Sequence, residues 1–566
     1  MNKIYRKVWS RTLGAMVAVS ELASTRGKAG SVGLVCGAVA LVGALALAPV
    51  ATASAQNLPA TCQLDVGTPG AVSGDDAFVC GPDASATGDR ATAVGALSFA
   101  GSDDSAAFGA GALALGIGSS ATGSNSVAIG EESSAYGFQS DAEGDYSTAV
   151  GASSVALGEG STVVGWGGSA LGVFSVATGY GAVATGDNSV ASGANAMADG
   201  IGSVATGSDS HAAADNSSAY GNGAQAIGGN SSAYGAGATA TGADSVAIGG
   251  EATNILTGTT GAATAGDGGT AIGASAIASG LAASSVGIGA QADGDESTAL
   301  GALAYTPGTY ATAVGAESAA TGEYSTTVGS TSVATGDQSV ALGFGAAATQ
   351  IATVAVGVQS FAAGVAATAT GYGASANGDY SLASGAFAAA DGVSSVAVGE
   401  SSSASGDESV ALGGSAAGGS FITEASGAGT TAIGAGAYAT ADNAAAFGWL
   451  SGADAINGTA LGAGAWVQAA ADNSVALGAQ SLADRANTVS VGSAGSERQI
   501  TNVAAGTAGT DAVNMDQLAA VTSATQFFSA DGATDGTEDA LASGARAVAS
   551  GALSTAVGDD SVATGN

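Results

Sequence analysis

The sequence predicts an all-β parallel solenoid, a narrow β-roll of 14-residue coils, and three observations carry that reading. First, glycine recurs every seven residues. From Gly88 to Gly249, 22 of the 24 positions on this beat are glycine, with Ser102 and Ala214 the exceptions; from Gly266 to Gly413, 21 of 22 are, with Gln350 the exception. Second, the residue before the glycine alternates in kind. It is aliphatic at Ile272, Val286, Leu300, Val314, Val328 and Leu342, and not aliphatic at Ser279, Asp293, Pro307, Thr321 and Thr335. The true repeat is therefore fourteen residues in two similar halves. Third, both halves prefer a small residue two before the glycine, as at Ala271, Ala278, Ala292 and Ala299. A short fixed period of this kind marks a stack of small units rather than a globular enzyme core.

Each half holds about five residues of strand and a glycine-containing turn, too few for a helix. SVAIG at 126–130, SVALG at 339–343 and SVAVG at 395–399 show strand alternation. Val127 and Ile129 point one way and Ala128 the other. Glycine supplies the positive φ that a tight corner needs. Strand, turn, strand, turn makes one flat coil, and stacked coils make two parallel sheets. The shared alanine faces the narrow interior from both sides. About 23 coils at roughly 4.8 Å each give a rod on the order of 110 Å long. The beat slips at 250–265 and at 414–426, which read as loops or hairpins leaving the rod. After 427 the period loosens, though 455–462 and 473–478 continue it.

The outer faces of the two sheets are expected to differ. One carries Ser, Thr, Asp or Tyr, as at Tyr136, Thr321 and Asp391. The other carries a continuous aliphatic stripe: Val127, Ile129, Val155, Leu157, Val246, Ile248, Val340, Leu342, Val396, Val398, Val410 and Leu412. Such a stripe does not stay in water. Burying each Val or Ile is worth about 1.5–3 kcal/mol, so the stripe reads as a subunit interface along the rod. A monomeric solenoid with a one-sided apolar ridge is the alternative.

Composition narrows the function classes. The chain has 566 residues, 95 of them glycine, with 10 Lys+Arg against 46 Asp+Glu. Six basic residues lie in the first 28 positions. Beyond Ala55 only Arg90, Arg485, Arg498 and Arg546 face 45 acids, a net of −41. Such a surface repels nucleic acid and anionic lipid. The apolar run at 31–55 ends in Ala53-Ser54-Ala55, an A-x-A pattern, so an exported chain cleaved between Ala55 and Gln56 is expected. A retained transmembrane helix is the alternative, against which Pro49 and the Ala/Ser tail argue. Cys36 falls within the removed run. Cys62 and Cys80 remain ahead of the repeats, either bonded to each other or as two thiols.

Three regions resemble the trimeric autotransporter adhesins, the YadA-like family of Gram-negative bacteria. MNKIYRKVWSRTLGAMVAVSELASTRGKAG at 1–30 is similar to the extended signal region of this secretion class. NSVAIGEESSAYG at 125–137 resembles the head motif, and NTVSVGSAGSERQITNVAAGTAGTDAVNMDQL at 487–518 resembles the neck joining head to stalk. The resemblance implies a left-handed parallel β-roll forming a homotrimeric rod, followed by a short neck and a coiled-coil start. It implies that Arg498 and the stretch from Ile500 cross between subunits. Thr510 or Asp511 is expected to cap a short helix that holds Val513, Met515, Leu518 and Val521 inward. The expected organisation is a signal region at 1–55, a lead segment at 56–86, the head at 87–492, neck and short coiled coil at 493–524, and a second head from 525 to 566. Family members end in an outer-membrane barrel anchor, which is not visible here, so a fragment of a longer multi-head protein is expected.

Motifs for catalysis and cofactors are not evident, and neither an enzyme nor a cofactor is expected. His211 reads as a solvated turn residue, and glycine-rich runs such as GAGALALGIG lack the strand-to-helix context of a phosphate loop. The GDxS corners at Asp145, Asp187, Asp295, Asp337, Asp379 and Asp407 read as turn chemistry, each Asp bonding its own backbone with Ser as a second acceptor. Calcium rolls need a nine-residue period, and this one is seven. The tyrosines at 136, 180, 220, 234, 324, 372 and 380 serve either as binding platforms or as packing partners between coils. The expected function is a cell-surface adhesin that attaches to host extracellular matrix (collagen, fibronectin or laminin class) or cells, and autoaggregates. The alternative is a structural spacer or self-association module for biofilm. An ice-binding solenoid fits less well, because the polar sheet lacks a regular threonine array.

Overall fold

Two strands per coil, stacked in parallel every fourteen residues, make the repeat region. The computed structural model describes residues 5–10, 15–20, 61–62, 71–253, 260–524, 540–551 and 553–565. The chain divides into two units, Met1–Ala60 and Thr61–Asn566. In the first, Tyr5–Ser10 pairs antiparallel with Ala15–Ser20. The apolar run at 31–55 and the cleavage pair Ala55–Gln56 lie outside the described residues.

In the second unit the strands are shorter than expected, two residues in one half-coil and three in the other. The two-residue strands form one parallel sheet and the three-residue strands a second. Their register is the sequence repeat itself: Val127 sits opposite Asp141 on the first sheet, and Ser134, Ala135 and Tyr136 opposite Thr148, Ala149 and Val150 on the second. The backbone ladder is regular, with the amides of Val127 and Ile129 donating to the carbonyls of Ser140 and Ala142 at 2.8 Å. Both slips in the beat leave the same corner, after a three-residue strand. The first carries the antiparallel pair Ala252–Thr253 and Thr260–Gly261, and the second closes through Ala416 and Phe421. Pairing resumes across each, Thr239 with Thr264 and Ser403 with Glu424.

The interior is a slot one methyl group deep. Ala128, Ala135, Ala142, Ala149 and their counterparts are fully buried, as are the corner serines Ser126, Ser133 and Ser140. Larger interior residues occur where space is left. Val163 is fully buried, and the corner opposite it is Gly168, where a Cβ would stand 3.0 Å from Val163 Cγ1. Val467 and Gly458 repeat the arrangement at 3.0 Å.

The glycine beat has two physical causes, and only one is the positive φ expected from sequence. At the corner after each three-residue strand, glycine φ lies between 128° and 153° from Gly81 to Gly413, a region closed to side chains. After each two-residue strand the beat glycine has no such φ. There a Cβ meets the coil above: at Gly130 it would stand 2.1 Å from the Gly144 carbonyl oxygen. A side chain there forces the neighbouring backbone to shift, but the φ itself is open to any residue. The exceptions Ser102, Ala214 and Gln350 all fall on this second corner. The left-handed turn position proper is two residues past the beat, held by residues such as Asn125 and Glu132 at φ 53° and 52°.

Beyond Ser490, residues 491–514 run without helix or strand into the helix Met515–Ala524. Strands return at Leu541–Ala542 with Thr555–Ala556 and at Val548–Ser550 with Val562–Thr564. Cys62 and Cys80 are direct partners in adjacent parallel strands.

The Val163–Gly168 pairing predicts a coupled pair of substitutions. Gly168→Ala is expected to cost about 1–3 kcal/mol of local stability, read as faster hydrogen exchange in the coils at 155–183. Val163→Ala in the same chain is expected to restore most of it. Additive effects of the two changes would contradict the packing account.

Candidate functional site: the outer faces and corners of the roll

The aliphatic residues do not share one sheet, which corrects the expectation of a continuous stripe. Val127, Ile129, Val155 and Leu157 lie on the two-residue sheet. Val246, Ile248, Val340, Leu342, Val396, Val398, Val410 and Leu412 lie on the three-residue sheet. The physical reason is that the two half-repeats look alike, so an aliphatic half-coil can occupy either side. For the same reason Tyr136 and the pair Thr321 and Asp391 face opposite ways.

From Ile248 onward the three-residue sheet is consistent. The outward position before the glycine reads Ile248, Ile272, Val286, Leu300, Val314, Val328, Leu342 and Val356, then Val398, Leu412, Ile433, Phe447, Leu461 and Leu477. Only Thr370 and Ser384 interrupt it. Ile272 is 37 % exposed and Leu461 47 % in the single chain. On the opposite sheet the same column is Ser279, Asp293, Thr321, Thr335, Thr349, Asn377, Asp391 and Ser405, with Pro307 and Ala363 between them.

The corner leading into the three-residue sheet is the acidic edge. All six GDxS aspartates accept a backbone N–H from the coil before: Glu131 to Asp145 at 2.8 Å, Val173 to Asp187 at 2.8 Å, Leu281 to Asp295 at 2.9 Å, Glu323 to Asp337 at 2.9 Å, Val365 to Asp379 at 2.8 Å and Val393 to Asp407 at 2.9 Å. The expected turn chemistry thus needs correction in its partner. The carboxylate satisfies an amide fourteen residues earlier, not its own turn. The serines do not act alike: Ser339 Oγ donates to the Gly336 carbonyl at 2.5 Å, Ser297 Oγ accepts from Thr306 Oγ1 at 3.3 Å, and the Oγ atoms of Ser147, Ser189, Ser381 and Ser409 are buried without a partner. Arg90 joins Asp104 in a bidentate pair on this edge, and Arg546 joins Asp560 in the same way.

Aromatic side chains stack between coils. Tyr220 and Tyr234 lie 5.0 Å apart and Tyr310 and Tyr324 4.9 Å apart, both stacked. Trp166–Tyr180 is tilted at 4.8 Å and Tyr372–Phe387 edge-on at 5.1 Å. Such pairs add about 0.5–1.5 kcal/mol beyond area burial, so packing between coils accounts for these tyrosines. His211 is on a strand rather than in a turn, half-buried, with Nε2 2.9 Å from Asp199 Oδ2. The expectation of a solvated turn histidine is overturned because the beat residue it precedes, Ala214, does not interrupt the coil.

In the neck, Arg498 caps the last coil of its own chain. Its guanidinium donates to Ser481 Oγ at 2.8 Å, to the Val491 carbonyl at 3.0 Å and to the Ala479 carbonyl. The helix cap is neither Thr510 nor Asp511. Asn514 Oδ1 accepts from the Gln517 amide at 3.0 Å, and Gln517 Oε1 accepts from the Asn514 amide at 3.3 Å, a reciprocal capping box. Asp511 instead accepts from the amides of Thr507 and Ala508, which hold its carboxyl below the ordinary range. Val513 precedes the helix. Ile500, Val513, Met515, Leu518 and Val521 are all exposed in the single chain.

One carboxylate sits badly. Asp141 occupies an outward position of the two-residue sheet between Val127 and Val155. Its Oδ1 is enclosed and meets no hydrogen-bond donor. Burial, and then the charge of Glu143, push its carboxyl above the ordinary value. A raised carboxyl penalises the fold above its own pKa, and the penalty disappears below the unfolded value near 3.9. Asp141→Asn is therefore expected to stabilise the chain at pH 7 by a few tenths to about 1 kcal/mol. The gain is expected to vanish near pH 3, as read by denaturant melts at both pH values.

Comparison with known proteins matches three parts of the chain. Residues 1–50 match the extended signal peptide of type V secretion systems. Residues 499–544 match the coiled stalk of trimeric autotransporter adhesins. The YadA head domain repeat matches in segments from 73 to 494 and again over 542–566, well over half of the chain. No curated protein matches. The collagen-binding domain of the Yersinia adhesin YadA is similar at 38% identity, covering 29% of this chain and 86% of that one with a TM-score of 0.26. Extended signal, head repeats and stalk occur here in the order of an exported bacterial surface protein, and the chain belongs to the YadA-like family of trimeric autotransporter adhesins, which are not enzymes.

Proposed function

We propose that the chain acts as a homotrimeric adhesin on the surface of a Gram-negative cell. In this reading three left-handed rolls meet along their three-residue sheets about a shared axis. The observation that carries it is the aliphatic column from Ile248 to Leu477, apolar on one sheet only and part-exposed in a single chain. A column of that length is an interface by ordinary solvation energetics. The four expected contacts on the other sheet, Val127, Ile129, Val155 and Leu157, are left out of this interface. The exposed neck residues Ile500, Val513, Met515, Leu518 and Val521 support assembly of a coiled coil below the head. A bond between Cys62 and Cys80 is supported by their direct pairing across adjacent strands.

Attachment to host matrix of the collagen, fibronectin or laminin class, and to other bacterial cells, is the activity we assign. It has no chemical step. Affinity arises from many weak contacts repeated along the coils and multiplied by three chains. A pure spacer for biofilm is the second reading.

Light scattering on the mature chain is expected to give three times the chain mass. Leu342→Asp with Val398→Asp is expected to shift it toward monomer and to abolish adhesion together with it. A wild-type monomer would overturn the assembly. A trimer that clumps cells but binds no immobilised matrix protein would favour the spacer.

A further inference from the structure

Between residues 113 and 171 the two-residue sheet departs from its own pattern. Leu115, Ile129, Leu157 and Leu171 hold the outward column before the glycine, 36 %, 41 %, 41 % and 41 % exposed. Leu113, Val127 and Val155 stand beside them in register. Further along, serine, threonine and aspartate dominate the same column, as in a face left in water, with Ala213, Ile227, Pro307 and Ala363 among the exceptions. The apolar stretch spans five coils, or roughly 20 Å.

We propose that this band is a docking face for a partner protein whose contact surface has an apolar centre and a rim of lysine or arginine. The proposal rests on the reading that the three-residue sheet faces the trimer axis, which leaves the band outside. Charge selects the partner. No lysine or arginine lies between Arg90 and Arg485. Glu131, Glu132, Asp145 and Glu159 line the adjoining corner. Asp141 and Glu143 lie inside the band, and Glu143 is exposed. A cation from the partner pairs with Glu143 and the corner carboxylates, while apolar side chains cover the leucines. A second rod of this chain brings carboxylates to carboxylates and fits poorly.

The test uses the full mature chain. The probe is a fluorescent ten-residue peptide of alternating leucine and lysine. Leucine–glutamate and serine–lysine peptides of equal length are controls, and light scattering runs alongside. Binding is expected from the leucine–lysine peptide, with both controls weaker by about tenfold or more. Leu115→Ser, Ile129→Ser, Leu157→Ser and Leu171→Ser together are expected to lower its affinity about tenfold with the trimer mass unchanged. Asp141→Asn with Glu143→Gln is expected to weaken binding and flatten its salt dependence. Equal binding of the serine–lysine peptide, or full affinity in the serine variant, would show only diffuse attraction to an acidic rod and overturn the proposal. Wild-type assemblies larger than a trimer that revert to one trimer in the serine variant would make a second copy the occupant and overturn it too. Dissociation of the serine variant to monomers would make the band the subunit seam. Both this proposal and the reading beneath it would then fall, whereas loss of peptide binding alone leaves the trimer standing.

Discussion

Everything in the roll depends on how closely one coil lies upon the next at the corners. After each three-residue strand the chain turns with glycine φ near 140° and passes over the following coil with no room for a side chain. This corner sets the coil length at fourteen residues and keeps the two sheets one alanine apart. It admits no exception from Gly81 to Gly413. The opposite corner leaves no more room for a Cβ, but its φ is open to any residue, and Ser102, Ala214 and Gln350 occur there.

A slot that narrow limits what the inside contributes. An alanine methyl buries far less apolar surface than a leucine side chain, and the interior is nearly all alanine and serine. Cohesion along the roll therefore comes from other sources. These are the parallel backbone ladder, the aspartates that satisfy amides of the preceding coil, and the aromatic pairs stacked from coil to coil. Apolar area large enough to drive assembly is on the outside. The same constraint that thins the core thus pushes the hydrophobic effect onto the outer faces, where it acts between chains.

Much of this was legible in the sequence, and the failures share a cause. The beat and the buried alanine follow from spacing alone, so the coil, its length and its inward face were readable. Which half-coil lies on which side was not. Val127 and Val340 sit in nearly identical motifs, SVAIG and SVALG, yet occupy opposite sheets, because the aliphatic half-coil has already exchanged sides by Val246, an odd number of seven-residue steps after Val127. Local motif similarity cannot carry that parity; only unbroken counting from one end does. The aspartate partners were missed for a related reason, since an acceptor fourteen residues away looks local only after the coils are stacked. At the neck, Asn514 and Gln517 stood three apart with the spacing of a capping box, a signal that was present and passed over in favour of Asp511.

The account stands most directly on which sheet meets the three-fold axis. Single cysteines at Leu342, on the three-residue sheet, and at Thr335, on the two-residue sheet, would be oxidised in the mature chain and compared with wild type on denaturing gels. Covalent dimers from Leu342→Cys and none from Thr335→Cys are what the account predicts. Dimers from Thr335→Cys with none from Leu342→Cys would contradict it.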